Sequence, residues 1–137
     1  MKLKLFILSL CLPLFVFGQK AQIDLPISWD DTATVNYTVS DFGGNSSMVA
    51  ADPANASNLV LESTKSNTAQ TWAGTTLGTS TGFATAVPFA QGSTVIKAVV
   101  YSPDTATPVR LKVEDASNAA ISVETKVLTT VANAWDT

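Results

Sequence analysis

Seven side chains in the last third of the sequence could meet a polar ligand together: Lys97, Tyr101, Arg110, Lys112, Glu114, Glu124 and Lys126. Within each local segment they recur at every second or fourth position, which places them on one side of pleated strands. An aromatic ring can lie against the C–H face of a sugar while charged forks reach pairs of hydroxyls. The same pattern also describes a solvated outer sheet face held by cross-strand ion pairs. Trp72 is the aromatic best placed for exposure, beside Gly74 and the Gly/Thr/Ser loop 76–81. Trp29, Phe42, Phe83 and Phe89 could each be a stacking platform, but such residues are more often part of a core.

The carboxylates suggest a metal before they suggest catalysis. Asp24, Asp30 and Asp31 cluster near the N-terminus, and such hard oxygen donors suit calcium, which takes six to eight of them. A solvated turn accounts for the same three residues. Glycoside hydrolysis needs two carboxylates about 5–9.5 Å apart. Glu114 and Glu124 could approach one another on neighbouring strands, but basic residues alternate with both and would hold them ionised, a poor state for a general acid. The chain contains no histidine, which removes Ser-His-Asp and Cys-His catalysis and most zinc and copper sites. We expect a non-catalytic protein.

These groups must be positioned by strands, because no segment after residue 18 sustains a helical period. The alternation predicts strands at 23–27, 34–39, 47–51, 59–63 and 71–75, with Pro26 marking an edge. Turns are expected at Asp30-Asp31, at Gly43-Gly44-Asn45 and at Asp52-Pro53-Ala54-Asn55. The clearest strands are 94–101, 109–114 and 121–127, the last two forming an antiparallel pair around the loop 115–120. Pairing Lys112 or Arg110 with Glu124 keeps Val109, Leu111 and Val113 on the same inward face as Ile121, Val123 and Val127. Trp135 should open a further strand. The expected fold class is therefore all-β, an antiparallel β-sandwich.

The first residues address the chain for export. Lys2 and Lys4 precede the apolar run 5–17, and Gly18 supplies the small residue for cleavage before Gln19. The domains are thus a signal peptide, 1–18, and a β-module, 19–137. The protein is expected outside the cell or at its surface, with no membrane anchor. Cys11 lies within the apolar run behind Leu10, a poor match to an acylated lipoprotein terminus, and it leaves with the signal. Lys2 and Lys4 leave too, so six basic side chains face 11 acidic ones. That balance argues against nucleic acid as a partner. The sequons at Asn36, Asn45 and Asn55 matter only in a glycosylating secretory pathway.

Several short motifs then occur in a telling order: Asp24-Leu25-Pro26-Ile27-Ser28-Trp29-Asp30-Asp31, Asp41-Phe42-Gly43-Gly44, and Trp72-Ala73-Gly74-Thr75-Thr76. Val87-Pro88-Phe89, Ser102-Pro103-Asp104 and the run 108–115 follow. In this order they resemble carbohydrate-binding-like modules of secreted bacterial polysaccharide-degrading systems. That resemblance spans about residues 22–137 and implies a galactose-binding-like jelly-roll. It implies a non-catalytic module that targets a glucan or galactan polysaccharide, beside a covalently linked downstream catalytic or sorting domain. It also implies a structural calcium ion in some relatives, partly held by acids beyond residue 137. Such modules continue past the position of Trp135, so the sequence is expected to be a fragment lacking its C-terminal strands. The competing expectations are a structural or adhesive β-sandwich, or a piece of a jelly-roll polysaccharide-degrading enzyme.

Overall fold

A computed structural model describes residues 18–137, so the signal reading, apart from its cleavage point, lies outside the described residues. Ten strands and no helix are found among them. They are β1 (Ala21–Gln22), β2 (Val35–Asn36), β3 (Val39–Phe42), β4 (Asn45–Asp52) and β5 (Asn55–Lys65). They continue as β6 (Gly74–Leu77), β7 (Val100–Ser102), β8 (Pro108–Asp115), β9 (Asn118–Leu128) and β10 (Ala134–Asp136). The strands associate in pairs. β1 and β2 run parallel, while β3–β6, β4–β5, β7–β10 and β8–β9 are antiparallel. The all-β class expected from composition is the class found.

Both long hairpins close in the same way. At the end of β4, Oδ1 of Asp52 accepts the Ala54 N–H at 2.7 Å, and at the end of β8, Oδ1 of Asp115 accepts the Ser117 N–H at 2.8 Å. An aspartate that binds the backbone two residues on fixes a tight turn, and each ladder shifts register beside it. The Ser117 hydroxyl and amide together hold the Asp115 carboxyl below the usual carboxylate range.

Four expected strands are corrected. Segment 34–39 breaks at 37–38 into β2 and β3. Segment 71–75 is strand only from Gly74, because residues 70–73 form a turn closed by the Ala73 N–H on the Gln70 carbonyl at 3.0 Å. Ile23 is fully buried, but the chain leaves the β1 ladder before it: Pro26 has no N–H to pair, and the Leu25 N–H is taken by Asp24 at 2.9 Å. Only the end of 94–101 is strand, as β7, because β7 finds its partner in β10 and residues 94–99 have no ladder partner. Their alternation survives only in part, since Lys97, expected on the opposite face, borders the same groove as its apolar neighbours. Ile96, Ala98 and Val100 line one groove of about 320 Å³ together with Val109, Leu111 and Val127.

The β8–β9 register is the first of the two anticipated, with Lys112 opposite Glu124. The ion pair, however, is diagonal, from Arg110 to Glu124, and Lys112 bonds Glu114 on its own strand at 2.7 Å. Of the two apolar rows expected inward, Val109, Leu111 and Val113 of β8 are half-buried, but that of β9 is not covered. Ile121, Val123 and Val127 are 60%, 63% and 60% exposed, because no other strand packs on this hairpin among the described residues. Among the described residues the buried apolar side chains are Ile23 and Ala73. Ser102 and Thr129 are also buried and tie the chain around residues 102–107. Each hydroxyl donates to the Asp104 carbonyl, at 2.8 and 2.9 Å.

Trp135 does open a strand. It stands opposite Tyr101 in the β7–β10 pair, edge-on to its ring at 5.6 Å. Its indole N–H reaches Oδ1 of the buried Asp52 at 3.2 Å, joining the C-terminal strand to the β4–β5 turn.

Candidate functional site

The most accessible large aromatic surface lies where β3 turns into β4. Phe42 ends β3 opposite Gly74 of β6, and its ring rests on the bare backbone there. A Cβ at Gly74 would stand 3.1 Å from Phe42 Cζ. Gly43 and Gly44 then reverse the chain with φ of 68° and 93°, the left-handed region open to glycine. The loop between β5 and β6 docks on this corner: Gln70 N–H donates to the Gly43 carbonyl at 2.8 Å and Ser66 N–H to the Gly44 carbonyl at 3.3 Å. Docking buries Ala73 and lays Trp72 across Gly43, where an added Cβ would be 2.8 Å from Cζ3 of the indole. The Trp72 and Phe42 rings are nearly parallel, 13° apart with centroids 6.1 Å apart. They remain 63% and 42% exposed.

A polar cluster adjoins the rings. Oδ1 of Asp41 accepts the Thr75 hydroxyl at 2.6 Å and the Asn45 amide at 2.9 Å, while Oδ2 accepts the Ser47 N–H at 2.7 Å. The Ser63 hydroxyl donates to Oδ1 of the Asn45 side chain at 3.0 Å. The Thr75 hydroxyl, then the Asn45 and Ser47 donors, lower the Asp41 pKa to about 2. This cluster joins β3, β4, β5 and β6, and so fixes the floor on which the aromatic pair stands.

The structure separates the other site residues expected from the sequence. Arg110, Lys112, Glu114 and Glu124 do share one face of β8–β9 and bind one another there. Tyr101 is on β7, facing Trp135, and Trp72 is on the β5–β6 loop. The single face joining Tyr101 to the β8–β9 charges is therefore not formed, because β7 pairs with β10 instead of with the hairpin.

The N-terminal acids are each engaged separately. Asp24 accepts the Thr85 hydroxyl at 2.8 and 2.7 Å, which chiefly lowers its pKa. Asp30 accepts the Leu59 N–H at 2.9 Å, at the start of the apolar part of β5. The Asp31 amide donates to the Tyr37 hydroxyl at 3.3 Å, and its carbonyl takes the Thr34 and Val35 amides. Asp24, Asp31 and Tyr37 border a cleft of about 320 Å³ beside Leu25 and Pro26. Among the described residues no three carboxylate, His or Cys side chains converge as a metal site would require.

Phe42 is one aromatic among several in the sequence, and the motifs and the sequon that contain Asp41, Thr75 and Asn45 do not mark them, or Ser47, as members of one site. What brings them together is the β3–β6 ladder, which sets Asp41 opposite Thr75 and Phe42 opposite Gly74. No family model matches the chain, and no curated protein or solved structure is significantly similar to it.

Proposed function

We propose that this protein is a secreted, non-catalytic carbohydrate-binding module of jelly-roll, galactose-binding-like type that holds its bearer on a polysaccharide. The observation that carries the reading is the exposed, backbone-supported pair Trp72–Phe42. A large ring left in water costs the hydration of its apolar face, and a sugar C–H face returns that energy on stacking. Gly43 and Gly74 hold both rings from behind, so little ordering is left to do when a ligand arrives. The order of motifs resembling secreted polysaccharide-targeting modules agrees with this reading. The carboxylate beside the rings favours binding over hydrolysis: Asp41 is ionised in any ordinary buffer and its oxygens are occupied. Cosedimentation and affinity electrophoresis across glucans and galactans test the proposal. Retention on at least one glycan is expected, with Trp72→Ala removing it while the circular dichroism is kept. A folded protein that ignores the whole panel would exclude the reading.

The uncovered row Ile121, Val123 and Val127 favours a second reading, a structural or adhesive β domain that seats another protein surface. That reading expects Trp72→Ala to change nothing, and polar substitutions on β9 to abolish association instead.

A further inference from the structure

A ligand-binding aromatic pair can sit in a groove that grips one glycan chain, or on an open surface that meets many chains at once. The two arrangements demand different polar surroundings. A single flexible chain must be ordered on binding, so a site for it needs free donors and acceptors converging on its hydroxyls. Chains already packed side by side have lost that freedom, and stacking on a flat face suffices.

Three features of this corner bear on the choice. First, Phe42 and Trp72 border neither of the two clefts described above, and the indole is 63% exposed. Second, the polar groups of the strands beneath the rings are committed to each other. The Thr75 hydroxyl and the Asn45 amide both donate to Asp41, and Oδ1 of the Asn45 side chain already accepts from Ser63. They brace the platform and offer no open fork to read one chain's hydroxyl pattern. Third, the surroundings carry no net charge. No Asp, Glu, Lys or Arg occurs from residue 66 to residue 96, which includes the whole loop bearing Trp72. The nearest charges in register are Asp41 and, across the β4–β5 ladder from Asn45, Lys65, one of each sign.

We infer that the Trp72–Phe42 platform binds the outer face of packed, uncharged polysaccharide chains, and not a single chain or an anionic glycan. The inference rests on the carbohydrate-binding reading and adds the physical state and charge of the ligand. The hydroxyl and amide rim of the loop, Ser66, Asn67, Thr68, Gln70 and Thr71, suits such a surface, since short uncharged groups can meet hydroxyls in many registers.

The experiment compares suspended cellulose, curdlan and agarose with soluble oligosaccharides of the same linkages and with a sulfated galactan. Depletion of the full chain from solution measures the first group, and calorimetry the others. Expected is depletion by at least one insoluble uncharged glycan, with oligosaccharides of that linkage binding at least about a hundredfold more weakly, ~2.7 kcal/mol. Trp72→Ala should weaken depletion about tenfold or more, whereas Trp72→Tyr, which keeps a flat ring, should retain most of it; unchanged circular dichroism in both variants separates binding from unfolding. Oligosaccharide binding as tight as depletion, or Trp72-dependent binding of the sulfated galactan alone, would overturn this inference and leave the carbohydrate-binding function standing. No binding to any glycan in either state would remove that function, and the inference with it.

Discussion

Substituting Gly43 by alanine tests whether the platform is held as described. Two costs are separable there. The residue has φ of 68°, and holding an L-residue in that region costs roughly 1–2 kcal/mol. The new methyl would also lie 2.8 Å from Trp72 Cζ3 and 2.9 Å from the Ala73 backbone. The indole can move because it is exposed, but the Ala73 Cα cannot without undocking the β5–β6 loop. Overpacking of this kind costs roughly 1–3 kcal/mol more. Gly92 provides the control. It has φ of 82° with nothing within 4 Å of a built Cβ, so Gly92→Ala should carry the backbone cost alone. Urea unfolding of both variants, followed by circular dichroism and by tryptophan fluorescence, gives the comparison. Gly43→Ala should be the less stable by about 1–3 kcal/mol, with altered Trp72 emission and weakened glycan retention. Equal destabilisation of the two variants, with native fluorescence in each, would show that the indole does not rest on Gly43.

Acid should loosen the same corner. The Asp41 pKa is depressed to about 2 from an ordinary 3.8, so its contribution is complete above the ordinary value and is lost as pH falls toward the depressed one. Asp24, Asp52, Asp115 and Asp136 are shifted in the same direction, so the urea midpoint should fall between about pH 4 and pH 2, less steeply in Asp41→Asn. Trp135→Phe keeps a ring against Tyr101 and removes the indole N–H donated to Asp52; a loss of roughly 1–3 kcal/mol in urea unfolding is expected, and wild-type stability would mean that β10 is not tied to the β4–β5 turn.

How far the sequence can be read is best seen by comparing the two hairpins with the aromatic corner. The turns at 52–55 and 115–118 follow from local chemistry, since an aspartate that binds the backbone two residues on needs no distant partner. Side-chain alternation and charge then limit β8–β9 to two registers, one of which is found. Residues 94–99 show the limit of that method. Alternation records which side chains share a face, and Ile96, Ala98 and Val100 do share one, but it cannot name the strand that will supply hydrogen bonds. Expecting Tyr101 beside the charges of β8–β9 required a neighbour relation that no local pattern encodes.

The aromatic corner was half legible for the same reason. Trp72 beside Gly74 read as an exposed ring, and it is one. Its partner Phe42 lies 30 positions earlier in the chain, and the two meet only because β3 pairs with β6 across the intervening β4–β5 hairpin. That pairing leaves marks once it is suspected. Each ring lies over a glycine of the other's segment, Trp72 on Gly43 and Phe42 on Gly74, and each glycine falls one or two residues after the ring of its own segment. Two aromatic–glycine steps that answer one another across a ladder are a reciprocal requirement: enlarging either glycine displaces the other segment's ring. The motifs 41–44 and 72–75 are therefore two halves of one structure. A corner built in this way keeps both rings nearly parallel and exposed without burying either.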